Sequence, residues 1–302
     1  MFIHKQHKWI AAGVLFALLW SSASTATKLA LNDAQPLVIA EIRFMLAGIL
    51  MLVFTHVIQQ KKLPAGKQWK QLIIYGLLNI TIYLGCYVIA MQYVTAGIGS
   101  LAVATNPLFI SFLSVIILKN KISASIIIAI MFGTAGVIIA SWPLLQGANV
   151  TVAGLLLLLF SMISYSAGAI YFSYVKWNKM DLLTINGWQT FLGGLLLLPF
   201  TLFTYHYAEN NFTGEFWASV AWLAIPVSVF TVQLWLWLLK TNTVKAGLWL
   251  FLCPVFGFAI AGWLIHDVIS LYTIIGIILV ISGLFISQRM KREKRFNIKS
   301  RQ

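Results

Sequence analysis

Apolar stretches of roughly 20 residues, the length of helix that crosses a ~30 Å hydrocarbon layer, recur along the whole chain between short polar connections. Each predicts one membrane-spanning helix, and ten are expected: 9–31, 36–58, 70–90, 96–118, 123–142, 151–174, 182–205, 216–239, 246–265 and 270–288. The runs are continuous and do not alternate apolar with polar at every second position, which argues against a β-barrel. No connection is long enough for a separate soluble domain.

Laid over itself, the chain repeats. The pattern of small and hydroxyl residues in AAGVLFALLWSSASTATKLAL (11–31) returns in VAGLLLLLFSMISYSAGAIYF (152–172), and EIRFMLAGILML (41–52) lies over GWQTFLGGLLLL (187–198). At an offset of 147, NPLF (106–109) lies over CPVF (253–256) and KISASIIIAIMFGTAGVIIAS (121–141) over VISLYTIIGIILVISGLFISQ (268–288). Two five-helix halves are expected, 9–142 and 151–288, followed by a basic tail, 289–302. Five is odd, so the second half enters the bilayer from the opposite side and the repeat is inverted. Two such halves can pack open to one side or, at similar energy, open to the other, which suits alternating access.

Composition agrees with a lipid-solvated chain: 302 residues are 60% hydrophobic and 9% charged, with mean hydropathy +0.89. The net charge of +14 is not a nucleic-acid footprint, because of where it lies. Lys5, Lys8, Lys61, Lys62, Lys67, Lys70, Lys119, Lys121, Lys176, Lys179, Lys240, Lys245 and the tail all fall at one end of the spans, leaving only Lys28 and Arg43 of the 21 basic residues inside them. The positive-inside rule then puts both chain termini in the cytoplasm of a multi-pass inner-membrane protein. Cys86 and Cys253 read as small buried hydrophobes, suggesting neither a disulfide nor a metal site.

The basic start, the apolar run to Trp20 and the small residues beyond it also fit a cleaved secretory signal. Against that reading, apolar character resumes after Lys28 and a copy of the segment lies mid-chain.

The run LWSSASTATKLAL, then IRFMLAG, then NPLFISFLSVIILKNKIS resembles the EamA family of the drug/metabolite transporter superfamily. Trp20, Lys28, the Arg43-Phe44 pair and Pro107 fit its pattern; Asp267 fits the acid expected 13 residues after Pro254, whereas Asn120 replaces the one expected 13 after Pro107. The resemblance covers nearly the whole chain through diffuse motifs. It implies a ten-helix inner-membrane carrier that exports or exchanges small metabolites, often amino acids or related amphipathic solutes.

Several polar residues interrupt the spans. Trp20, Ser24, Thr27 and Lys28 share one face of the first helix, with Ser21 beside them. The hydroxyls either line a cavity or bond their own helix carbonyls. Lys28 either snorkels, pairs with Glu41 or meets solute. Glu41 and Arg43, two positions apart, point to nearly opposite faces. The expectation is a Glu41–Lys28 pair, with Arg43 holding helix carbonyls or a substrate carboxylate; a protonatable Glu41 is the candidate for proton coupling. Tyr75, Asn79, Tyr83 and Tyr87 form a four-residue stripe, either packing and interface belt or cavity wall.

Asn106-Pro107 and Pro254 break their helices, for a kink or for solute contact. In the second half Tyr165 corresponds to Ser24, Gln189 to Arg43, and Gln233 with Trp237 forms a further cavity pair. The Arg43/Gln189 inequality suggests a polarised solute such as a zwitterion. Trp188, Trp235 and Trp249 read as packing or belt residues, and Gly133, Gly136, Gly276 and Gly283 as close-packing positions.

No catalytic set appears: His56, His206 and His266 fall near span ends, and no GxSxG, HExxH or phosphate-cradling loop is present. No cofactor or metal is expected, and the partners are a small-molecule substrate and the lipid bilayer. The expected protein is a secondary carrier with a cavity between its halves, against a channel, a scaffold protein or an intramembrane enzyme.

Overall fold

Where five of the apolar runs begin, a short polar side chain starts the helix. In the computed structural model Thr95, Thr151, Asp181, Thr213 and Asn242 each accept a hydrogen bond from the backbone N–H three residues on, at 2.9–3.3 Å. Pro36 opens its helix instead by occupying the first turn, where its lack of an N–H costs nothing. Such caps matter at a membrane boundary, because the first turn's free N–H groups otherwise face a medium with no acceptors. The structure describes residues 2–119, 124–145, 151–178, 180–264, 270–272, 274–279 and 281–283. Asn120, Asp267, His266 and the tail 289–302 lie outside the described residues.

Ten helices thread the bilayer in two inverted sets of five. They are α1 (Phe2–Ala30), α2 (Pro36–Ile58), α3 (Lys67–Ala90), α4 (Ala96–Leu118), α5 (Ala124–Leu145), α6 (Val152–Tyr174), α7 (Leu182–Phe203), α8 (Gly214–Thr241), α9 (Thr243–Leu264) and α10, described at 274–279 and 281–283. Eight of the described helices are long and apolar enough to span; α5 and α10 contribute the shorter apolar stretches Ile126–Gly136 and Ile274–Gly283. Outward faces carry large apolar side chains such as Val57, Phe112, Met131, Leu156 and Leu202, as lipid solvation requires.

The packing repeats with the sequence. Helix α1 lies against α8 and α9 as α6 lies against α3 and α4, and α3 crosses α7 as α8 crosses α2. The most extensive pair, α2 with α7, joins a helix to its own counterpart. Close approach there needs glycine: a Cβ on Gly48 would meet the Phe191 backbone at 3.0 Å. On the neighbouring crossing, a Cβ on Gly76 would meet the Gln189 carbonyl oxygen at 2.7 Å. On the outer flank Gly133 faces the Phe251 ring and Gly283 packs on Phe132, the close packing expected of α5 and α10.

Both ends of the α2–α7 seam are tied. At the lysine-rich end Lys61 Nζ meets Asp181 at 2.5 Å, and Trp188 Nε1 donates to His56 Nε2 at 2.9 Å. That acceptor role leaves the proton on His56 Nδ1, which donates to the Lys61 carbonyl at 2.8 Å. At the other end Gln35 Oε1 accepts from His206 N (2.8 Å) and Asn210 Nδ2 (2.9 Å), and Thr213 Oγ1 donates to Asp33 at 2.5 Å.

Three of the described helices widen into π-helix: α2 at its end, Val53–Ile58, and α3 and α8 at matching places, Leu77–Ile82 and Leu223–Thr231. Helix α4 breaks at Ala104–Thr105. Pro107 cannot donate to the Val103 carbonyl four residues back, and Asn106 Nδ2 does so instead at 2.9 Å. The same amide's oxygen accepts from Ser166 Oγ at 2.9 Å, and its nitrogen also meets Met162 Sδ at 3.2 Å. The break is thus an internally satisfied kink joining α4 to α6.

Candidate functional site

Aromatic rings from four helices close around the middle of the molecule. Phe16 and Trp20 of α1 stack at 5.6 Å; Trp235 of α8 stacks on Phe16 at 5.0 Å and on Tyr165 of α6 at 5.6 Å; Tyr83 of α3 meets Tyr165 at 4.7 Å. Beside the rings runs a short hydroxyl chain: Ser100 Oγ donates to Ser24 Oγ at 3.0 Å, and Ser24 Oγ lies 3.0 Å from Tyr87 Oη. The first-helix hydroxyls therefore divide. Ser21 and Ser22 bond the carbonyls of Leu18 and Leu19, whereas Ser24 turns inward.

Arg43 enters this cleft from α2. Its side chain is 2% exposed, its Nε donates to Ser228 Oγ at 2.9 Å, and its guanidinium carbon lies 5.5 Å from the centre of the Phe44 ring. No carboxylate forms an ion pair with it, and no acceptor meets its terminal nitrogens, among the described residues. The π-helical turn of α8 positions Ser228, whose hydroxyl in turn donates to the Leu223 carbonyl five residues back at 2.9 Å. From there a buried polar chain runs across the seam: Asn186 Nδ2 donates to the Ser228 carbonyl (2.9 Å), Gln189 Nε2 to Asn186 Oδ1 (3.1 Å), and Asn79 Nδ2 to Gln189 Oε1 (3.0 Å).

The space between Trp20, Ala23, Ser24, Arg43, Tyr83, Leu84, Tyr87, Val103 and Val227 is ≈ 10 Å³, about the room of one water molecule. Ligand pockets for metabolite-sized molecules measure about 300 Å³ or more. The cleft in this conformation is smaller than such a pocket. Eight of the nine lining residues come from the first half, with Val227 of α8 the contribution of the second.

Among the residues expected to face a cavity, Trp20, Ser24, Arg43 and Tyr83 line this one, with Tyr165 buried directly behind Trp20 and Tyr83. Asn79 and Gln189 sit in the polar chain beside Arg43. Asn106 is spent on the α4 kink. Gln233 and Trp237 are not among the residues that line the cleft: Gln233 has a buried Oε1 with no hydrogen-bond partner among the described residues, and Trp237 is 39% exposed, tilted against Trp9 at the lysine-rich end.

The expected Glu41–Lys28 pair does not form: Lys28 makes no ion pair among the described residues. Glu41 instead turns to α7, where Oε2 accepts from Thr201 Oγ1 at 3.5 Å and Oε1 is buried without a partner. Sequence reasoning missed Ser228, Asn186, Ser100 and Thr201. Pro226, which interrupts α8 just before Ser228, was the available signal.

The profile of the EamA-like transporter family matches residues 7–142 and again 152–288. The chain belongs to the EamA-like transporter family. Relatives within reach include the uncharacterized transporter YoaV of Bacillus subtilis, 27% identical over 89% of this chain and 93% of its own length. Protein PecM of Dickeya dadantii is 27% identical over 89% of each. A solved structure superposes with a TM-score of 0.77 over 95% of this chain and 98% of its own, at 15% identity, a likeness of fold. The EamA-like profile matches twice, once in each half, as the inverted repeat requires. The chain is thus a multi-pass membrane protein of a transporter family, and its central cleft is the place to look for solute.

Proposed function

We propose that this chain is a secondary carrier that moves small amphipathic solutes across the inner membrane by alternating access, as an exporter or exchanger. The observation that carries the reading is Arg43: a guanidinium buried among aromatic rings between two inverted halves, with most of its donors unmatched by the protein. Burying such a charge in a membrane is costly and marks solute pathways. The rings of Trp20, Tyr83 and Tyr87 strip water from an apolar body, while Arg43 and the Ser24 hydroxyl hold a polar head. The proposed repeats run 9–142 and 151–288, and the charge asymmetry of the connections supports a cytoplasmic position for the lysine-rich end and both termini.

Glu41 is the proposed coupling residue. Its Oε1 has no hydrogen-bond partner among the described residues, which supports a role in holding a proton. Purified protein in liposomes tests the carrier: saturable uptake with counterflow is expected. Non-saturating flux points to a channel, no flux to a scaffold, and chemical conversion of solute to an enzyme. Glu41→Gln is expected to lose the response of flux to an imposed proton gradient; an unchanged response removes the coupling role.

A further inference from the structure

Among the described residues, the cleft is lined by one cationic side chain and no anionic one. Around Arg43 the lining is aromatic, aliphatic or hydroxyl-bearing. The acid closest in sequence, Glu41, is committed to the opposite face of α2, against Thr201 and Gly194 of α7. A guanidinium carries five N–H donors, and the protein engages Nε alone, through Ser228. Among the described residues, therefore, nothing offsets the positive charge that Arg43 brings to the cleft.

We infer that the site selects organic monoanions, an apolar and preferably aromatic body ending in one carboxylate or sulfonate, over zwitterions of the same shape. The inference rests on the carrier reading above and replaces the zwitterion suggested by the Arg43/Gln189 inequality. A monoanion brings the buried charge to zero and meets the guanidinium fork with two parallel hydrogen bonds. An α-amino acid carries an ammonium group next to its carboxylate, hence next to Arg43, where like charges repel and no protein carboxylate receives it.

The test uses 3-phenylpropionate, phenylalanine and phenethylamine, which share one framework and differ in charge. Binding to the purified full-length protein in detergent is followed by tryptophan fluorescence and by the ligand-induced rise in melting temperature. The expected result is 3-phenylpropionate binding ~10-fold or more tightly than phenylalanine, the gain of a charge-assisted bidentate contact without the ammonium penalty. Arg43→Gln is expected to bring the two within ~3-fold of one another, and Arg43→Lys to keep their order at weaker affinity. Phenylalanine or phenethylamine binding as tightly as 3-phenylpropionate overturns the inference, as does a preference that survives in Arg43→Gln. Should the Gln variant not fold, Arg43→Lys decides: loss of the order there also overturns it. Saturable counterflow of some other solute with no binding of 3-phenylpropionate refutes the anion assignment and leaves the carrier standing, whereas absence of saturable flux for every solute refutes the carrier itself.

Discussion

If Ser228 holds Arg43 in place, its hydroxyl matters only while the guanidinium is present. The structure supplies the terms. Ser228 Oγ accepts from Arg43 Nε at 2.9 Å and donates to the Leu223 carbonyl at 2.9 Å, and both side chains are buried. A hydrogen bond from a charged donor contributes about 1.5–3 kcal/mol, a neutral one about 0.5–1.5 kcal/mol. Ser228→Ala removes both bonds. In an Arg43→Met background, where the side chain keeps its reach but has no donor, the same change removes only the bond to Leu223.

The intrahelical bond cancels in a double-mutant cycle, so the coupling between positions 43 and 228 is expected at about 1.5–3 kcal/mol. Equilibrium unfolding of the four proteins in mixed detergent–SDS micelles measures it. A coupling below ~0.5 kcal/mol, the ordinary error of additivity, refutes the claim that Ser228 positions the guanidinium.

Asn106→Leu strips the Val103 carbonyl of its substitute donor and Ser166 of its acceptor, and is expected to cost about 1–3 kcal/mol for each buried group left unpaired; the melting temperature in detergent reads the loss, and no change refutes the kink's internal satisfaction. Asp181 is pushed upward by partial burial, but the Lys61 ammonium and two hydrogen bonds from Thr184 outweigh that and hold its carboxyl below the usual carboxylate range. The tie is therefore fully present above the ordinary carboxylate pKa of ~4 and is lost as pH falls through the lower folded value. Both partners are about a third exposed, so Asp181→Asn, which keeps the helix cap, is expected to cost under ~1 kcal/mol and to lose its effect in high salt. A salt-independent loss in an unfolding titration contradicts the ion-pair reading.

The spans were legible because lipid imposes a length and a polarity that any crossing must obey. The expected 36–58 and 96–118 coincide with α2 and α4, and the other boundaries that can be compared move by a few residues where caps such as Thr213 or Asn242 set the helix start. Inter-helix neighbours were less legible. Lys28 and Glu41 were matched by charge and nearness in sequence, yet a side chain's neighbour depends on helix rotation, and α2 turns Glu41 toward α7. The four-residue spacing of Gln233 and Trp237 has the same limit: it defines a helix face without saying what the face meets. Ser228 was hidden for a different reason, since a π-helical turn shifts every later side chain relative to regular α-helical spacing.

The same π segments show where the two halves are equivalent and where they part. At the offset of 147 that relates the later helices of the halves, Thr81 in α3 lies over Ser228 in α8. Each reaches across to the seam helix of the other half: Thr81 Oγ1 donates to the Gly193 carbonyl of α7 at 2.7 Å, and Ser228 Oγ accepts from Arg43 of α2 at 2.9 Å. The backbone relation is symmetric, but the chemistry is not. Arg43 presents unmatched donors to the cleft, while its counterpart Gln189 is consumed by Asn79 and Asn186. Two arginines at these positions would place like charges in one small apolar space, which the desolvation cost forbids. One arginine and one satisfied amide leave a single anchor, so in the proposed carrier a solute held there would point its head toward α2 and its body toward the rings of α1 and α3. If inverted symmetry gives that carrier two related arrangements of the helices, the broken charge symmetry would give the solute one orientation in both.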